Sequence, residues 1–175
     1  MLTSFQLRAA RSVLGLGVRE VGEVINVSRT TISTWERQSV FHIISAKKKD
    51  VAPLDLFFNE KGIIFPDKNT LCLMTNLPKN LNHLTRFQLR ASRAALGLTL
   101  NELASFVNIP MQVIAYLESK KNDTYINTAP KEFNEDLIRN FFEQQSIQFI
   151  DDFSISLVDS LPPEGGSSSL RLEAD

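Results

Sequence analysis

The chain has 175 residues, 43% apolar and 22% charged, the proportions of a soluble globular protein, and no run approaches the roughly 18 apolar residues of a membrane helix. Its single cysteine, Cys72, excludes an internal disulfide and a cysteine zinc site, and fits a reducing compartment. The net charge of −1 hides an asymmetry: residues 1–81 carry 11 Lys/Arg and 7 Asp/Glu, net +4, whereas residues 82–175 carry 8 and 13, net −5. A half that meets phosphate gains from positive charge, and one that does not is free to lose it.

In chain order, Phe5, Leu7, Ala10, Val13 and Leu14 recur at helical spacing, with Gly15 just after. Thr3 and Gln6 have the capping-box spacing at the start of this helix. Arg8, Arg11 and Arg19 are spread along the amphipathic pattern rather than preceding an apolar block, so no signal peptide is expected and the protein reads as cytoplasmic. A short second helix is predicted over about Arg19–Ile25, ended by Asn26 in a left-handed turn. Ser28 then caps a third helix, about Arg29–Gln38, with Ile32 and Trp35 turned inward. A further amphipathic helix, about Val51–Lys61, is followed by β-like runs at Ile63–Phe65 and Thr70–Met74, separated by the turn Pro66-Asp-Lys-Asn69. Residues 75–84 read as a linker.

At Thr85 the sequence starts again. Thr3-Ser-Phe-Gln-Leu-Arg-Ala-Ala-Arg-Ser-Val-Leu-Gly-Leu16 returns as Thr85-Arg-Phe-Gln-Leu-Arg-Ala-Ser-Arg-Ala-Ala-Leu-Gly-Leu98, 82 positions later. Glu20, Asn26, Ile32 and Glu36 recur as Glu102, Asn108, Ile114 and Glu118, and Phe57–Phe65 aligns with Phe141–Phe149. So long a period, seen twice, indicates duplicated small domains rather than a solenoid. The units are expected over residues 1–74 and 85–160, with a disordered Pro/Gly/Ser-rich tail over 161–175. The second unit repeats the plan: a capping box at Thr99-Leu-Asn-Glu102, Asn108 at the turn, and Pro110 at or near the start of the third helix. A helix over about Glu132–Gln145 and strands at Ile147–Ile150 and Phe153–Val158 complete it. A lone two-stranded hairpin is marginal in water, so each should pair with the hairpin of the other unit, within one chain or between two.

A short helix, a tight turn at Asn26 and a helix opening on Ser28-Arg29-Thr30 form a helix-turn-helix arrangement. Leu14-Gly-Leu, Glu20-Val-Gly and Val27-Ser-Arg-Thr-Thr-Ile-Ser-Thr-Trp-Glu-Arg37 resemble the Cro/CI-type (XRE) family of transcriptional regulators over residues 3–38. Residues 85–120 resemble it less fully, and the trailing helix with Gly62-Ile-Ile-Phe65 resembles an extension of some small bacterial members. The resemblance implies a mainly α fold with two tandem lambda-repressor-like helix-turn-helix domains, each followed by a helix and a short β-hairpin. It places Ser28 and Thr31 near phosphates, Arg29, Thr30 and Thr34 against base edges, and Ser33 and Arg37 within reach of the backbone. It also makes Arg11–Glu36 and Arg93–Glu118 buried ion pairs that hold the fold. The chemistry agrees: Arg29 can fork onto guanine O6 and N7, worth about 1–3 kcal/mol of discrimination, and a Thr methyl can meet that of thymine. The bland alternative is that Arg29, Thr30 and Thr34 form an ordinary solvated helix face. Trp35 reads as core rather than as a base-stacking platform.

Two departures from the family matter. The Ser/Thr-Gln that usually opens the second helix is replaced by Gly17-Val18 and Thr99-Leu100, so both units lack a phosphate clamp. The second reading face would be Pro110, Met111, Gln112, Val113, Ala115 and Tyr116, with no cation before Lys120. Gln112 can pair with adenine and Tyr116 with phosphate, but an exposed face bearing Met and Val suits protein contact better. Lys47-Lys-Lys49 is a solvated run or an added phosphate contact. His42 and His83 have no metal-site spacing, no nucleophile has a partner, and the glycines form no phosphate fingerprint. Neither an enzyme nor a cofactor is expected. The expected function is a DNA-binding transcriptional regulator of a bacterium or mobile element. Its first unit would read double-stranded DNA, its acidic second unit would serve dimerisation or partner binding, and its site would be an inverted repeat met by a homodimer or an intramolecular pseudo-dimer. No membrane association is expected. The alternative is an antiactivator or adaptor that kept the fold, gave up DNA and binds another regulatory protein; the sequence pI of about 6.1 favours it.

Overall fold

The structure is a computed structural model and describes residues 2–44, 48–77, 83–128 and 133–158, without the side chains of residues 48–51. Thr3 opens α1 (Ser4–Val13) by accepting from the Gln6 amide at 3.3 Å, while Gln6 Oε1 accepts the Thr3 N–H at 3.1 Å. Gly15, at φ +67°, turns the chain out of α1. α2 (Val18–Val24) is followed by Asn26 at φ +55°, and Ser28 caps α3 (Arg29–Arg37) by accepting from the Thr31 amide at 3.1 Å. α4 (Lys48–Glu60) begins ahead of the expected Val51, so Pro53 lies inside the helix rather than in its first turn. The short strands β1 (Ile63–Ile64) and β2 (Thr70–Leu73) follow.

The second repeat gives α5 (Arg86–Ala95), α6 (Leu100–Val107), α7 (Met111–Glu118), a 3-10 turn at Ile126–Thr128, α8 (Glu135–Gln144), β3 (Ile147–Asp151) and β4 (Ser154–Leu157). Asn108 adopts φ +52°, and Pro110 sits just before α7. α8 starts at Glu135 rather than Glu132 because the Asn134 side chain accepts from the Asp136 amide at 2.9 Å and sets the cap there. The expected tail at 161–175 and most of the expected linker, residues 78–82, lie outside the described residues, as does Lys47. Among the described residues helices predominate, and none is long and apolar enough to cross a membrane.

The hairpins pair with each other within the chain, giving a four-stranded antiparallel sheet of order β1-β2-β4-β3. The register reveals a local two-fold. With the hairpins offset by 84 positions, Leu71 is the repeat equivalent of Ile155, and these two residues face each other across β2 and β4. On either side the pairs Thr70↔Ser156 and Cys72↔Ser154 exchange equivalent positions, as a two-fold at the central pair requires. α1 and α5 pack against each other under the same symmetry. Arg90 donates to the Val13 carbonyl at the end of α1 at 3.4 Å, and Arg8 Nη1 lies 3.3 Å from where a side chain at Gly97, beyond the end of α5, would start. The helices therefore run antiparallel, and fully buried small residues, among them Ala9, Ala10, Ala91 and Ala95, suit such a close approach. Phe5, Ile32, Phe58 and Leu71 join Phe87, Ile114, Phe142 and Ile155 in one contiguous buried cluster shared by both repeats. Each such side chain contributes about 1.5–3 kcal/mol of burial.

The capping glutamines also tie helix to sheet. Gln6 Nε2 donates to the carbonyls of Asp67 and Thr70 at 2.6 and 2.9 Å, and Gln88 Nε2 donates to that of Asp151 at 2.7 Å. Thr3 and Thr85 add bonds from their hydroxyls to the carbonyls of Lys68 and Asp152. One four-residue motif thus starts each helix and fixes the turn of its own hairpin.

Candidate nucleic-acid interface

α3 is held against α2 by close backbone packing. A Cβ on Gly22 would lie 2.6 Å from the Val27 carbonyl oxygen and 3.6 Å from Ile32, so only glycine fits here without a shift. Ile32 is fully buried beneath the helix; Trp35 is half-buried and packs on the core, and its carbonyl accepts from the Ser4 hydroxyl at 2.6 Å. The inward face read from the sequence is therefore present, and Trp35 is not a free stacking platform.

The opposite face of α3 carries Arg29, Thr30, Ser33, Thr34 and Arg37, whose spacing puts them on one side of the helix. Arg29, Thr30, Thr34 and Arg37 are exposed, as is the cap residue Ser28; Thr31 and Ser33 are half-buried. Thr34 donates to the Thr30 carbonyl at 2.9 Å, and Thr31 Oγ1 lies 3.0 Å from Ser28 Oγ, so these hydroxyls have local partners but face water. Arg37 Nε donates to the Ser33 carbonyl at 3.2 Å, which orients the guanidinium along the helix. No bond within the described residues engages the Arg29 side chain. Such a side chain, at the N-terminal end of an exposed helix, is free to reach an external acceptor.

α7 differs. Pro110, Gln112 and Tyr116 are exposed, but Val113 is only 9% exposed, and Met111 and Ala115 are half-buried. The expected apolar face of exposed Met and Val is therefore corrected: Val113 turns into the core beside Ile114. Tyr116 lies under two cations, with Lys120 Nζ 4.9 Å and the Arg86 guanidinium 5.9 Å from its ring centre. Beyond Tyr116, the exposed large apolar residues of this repeat lie off α7: Phe106, stacked on Phe141 at 5.3 Å, Leu137 and Ile150.

Both expected ion pairs form. Arg11 Nε and Nη2 donate to the two Glu36 carboxylate oxygens at 2.5 and 2.9 Å, and Arg93 does the same to Glu118 at 2.5 and 2.6 Å. The third edge of each arginine caps the carbonyl of Leu16 or Leu98. They are not fully buried as expected: the side chains keep 25% and 11% exposure in the first pair and 16% and 10% in the second. His83 meets Glu135 at 3.3 Å, a pairing that sequence spacing does not reveal, and among the described residues no cluster of three His, Cys, Asp or Glu could hold a metal.

Sequence reasoning passed over Arg8 and Arg90. Arg90 donates to Asn122 Oδ1 at 2.5 Å, to the carbonyls of Lys120 and Val13 at 3.1 and 3.4 Å, and to the carbonyl of Glu118. Arg8, its repeat equivalent, donates among the described residues only to the Glu36 carbonyl, at 3.0 Å. The signal was available: residues 8 and 90 are both Arg, while Asn122 corresponds to Val40. No family model matches the chain, and no curated protein or solved structure matches it either.

Proposed function

We propose that this chain is a cytoplasmic transcriptional regulator that binds double-stranded DNA in a sequence-specific manner, in keeping with its resemblance to the Cro/CI-type family. In this reading α2 and α3 form the helix-turn-helix. α3 enters the major groove with Arg29, Thr30 and Thr34 against base edges, and Ser28, Thr31, Ser33 and Arg37 serve the phosphates. The observation that carries the reading is the exposed, cationic outer face of α3, on which no bond among the described residues engages Arg29. The excess of basic residues in the first repeat supports it. Because α3 and α7 belong to repeats related by a local two-fold but present different residues, the site is a degenerate inverted repeat, with one half-site read more strictly than the other. Selection from random duplexes at low salt tests this directly: enrichment of a common half-site supports it, and failure to enrich any sequence contradicts it.

A second reading, a regulator that binds another protein instead of DNA, is favoured by the exposed apolar residues of the acidic repeat. Phe106, Leu137 and Tyr116 are 44%, 42% and 38% exposed on α6, α8 and α7. A chain that binds no duplex at micromolar concentration but captures a transcription factor supports this second reading.

A further inference from the structure

A groove of about 1110 Å³ opens where α1, the end of α3 and the end of α5 meet. Among its lining residues are four arginines, Arg8, Arg11, Arg37 and Arg93, against the single carboxylate of Glu36. Arg11 and Arg93 are committed to Glu36 and Glu118. Among the described residues Arg8 has no carboxylate partner. Its Nη1 donates to the Glu36 carbonyl, while Nε and Nη2 are out of contact with solvent and have no acceptor.

These two atoms form one edge of the guanidinium. It is the same edge with which Arg11 grips the two oxygens of Glu36 and Arg93 those of Glu118. Such an edge fits a planar or tetrahedral oxyanion through two parallel N–H···O bonds. A buried cation with idle donors is costly, and burial pushes the Arg8 pKa down, with only partial relief from Glu36.

The two-fold mate shows how the terminal nitrogens of the same arginine are satisfied without a ligand. Asn122 accepts from Arg90 through Oδ1 and donates through Nδ2 to the Val13 carbonyl at 2.9 Å, closing that side. Val40 holds the equivalent backbone position: its carbonyl accepts from the Phe5 amide at 3.3 Å, as that of Asn122 accepts from the Phe87 amide at 3.1 Å. A valine side chain can neither accept nor donate. Gln38, the repeat equivalent of Lys120, lies just beyond α3, and among the described residues no bond joins its carbonyl to Arg8. The Lys120 carbonyl that Arg90 uses thus has no counterpart at Arg8.

We propose that this groove is an oxyanion site in which the Nε/Nη2 edge of Arg8 grips a phosphate or carboxylate group, with Arg37 and Ser33 alongside. The side chain already lines the groove, and a turn of the guanidinium toward it presents the idle edge. The anion can be free in solution or a phosphate of a DNA backbone, and the site does not depend on the DNA-binding reading.

The test compares the full-length chain with Arg8→Gln and Val40→Asn. Thermal unfolding is followed in sodium phosphate against sodium chloride at matched ionic strength, and binding to short mixed-sequence duplex DNA is titrated in parallel. Val40→Asn reproduces Asn122 and gives one terminal nitrogen of Arg8 an internal acceptor, so it competes with the anion while keeping the fold. A phosphate-specific rise in Tm for the wild type, weakened about tenfold or more in apparent affinity by either substitution, supports a free-anion site. A loss confined to duplex binding assigns the site to a backbone phosphate. If neither phosphate nor duplex binding separates the wild type from Val40→Asn, the proposal is overturned.

Discussion

Replacing Gln6 by Met keeps the size of the side chain and removes both ends of the tether between α1 and the β1–β2 turn. Gln6 is fully buried. It accepts from the Thr3 amide at 3.1 Å and the Thr3 hydroxyl at 3.3 Å, and donates to the carbonyls of Asp67 and Thr70 at 2.6 and 2.9 Å. Asp67 is exposed, so its carbonyl rehydrates, but Thr3 and Thr70 keep only 2% and 5% exposure and their groups stay dry. Two stranded backbone groups cost about 1–3 kcal/mol each, less what the more apolar side chain returns on burial, so Gln6→Met should cost about 2–4 kcal/mol. In a domain of this size that is a fall in Tm of roughly 5–10 °C. Gln88 makes one bond fewer to its hairpin turn, so Gln88→Met should cost less, about 1–3 kcal/mol. Urea unfolding with the slope held fixed measures both. If both variants lose less than about 0.5 kcal/mol, the tether is not formed in solution and the reasoning fails.

Gly22→Ala tests the contact between α2 and α3: helix propensity alone gives a gain of about 1 kcal/mol, but the 2.6 Å approach to the Val27 carbonyl should reverse the sign, to a net loss of about 1–2 kcal/mol in chemical denaturation. Glu118→Gln and Glu36→Gln each leave a partly buried arginine half-partnered and should cost roughly 1.5–3 kcal/mol by urea melts, with the less exposed Arg93–Glu118 pair losing more; equal, negligible losses would contradict the geometry. The Glu102 carboxylate accepts from the backbone N–H of Thr99 and, more weakly, from its hydroxyl, which hold it below the ordinary glutamate range. A depressed folded pKa contributes stability above the unfolded pKa that is lost as pH falls through the folded one, and Thr99→Ala should move the Glu102 titration, followed by NMR, part of the way back up.

Local chemistry explains why much of this architecture was legible. Thr3 and Gln6, Thr99 and Glu102, Asn26, Asn108 and Ser28 act within one turn of chain, so spacing alone announced their roles. The pairing of the two hairpins followed from the instability of an isolated one. The long-range features were not legible: Gln6 reaching Asp67 and Thr70, Val113 turning into the core, and His83 meeting Glu135 depend on how elements dock. For the candidate interface, the sequence marked Arg29, Thr30 and Thr34 by type and position, and their exposure follows from burial of Ile32 on the opposite side. Arg8 was not legible as a site, because the difference between it and Arg90 lies in the residue at the matching position, Val40 or Asn122, and only docking brings that residue into play.

The most direct test of the central claim is a titration of the best duplex from random selection with the wild type, with Arg29→Ala/Thr34→Ala, and with Gln112→Ala/Tyr116→Ala. Reading by the first repeat predicts that the first double variant loses roughly tenfold to a hundredfold in affinity and relaxes one half-site, and that wild-type binding weakens steeply with salt. The second double variant should change affinity by no more than about threefold, the scale of a lost exposed contact. Unchanged affinity in Arg29→Ala/Thr34→Ala, or a larger loss from the α7 pair, would contradict it.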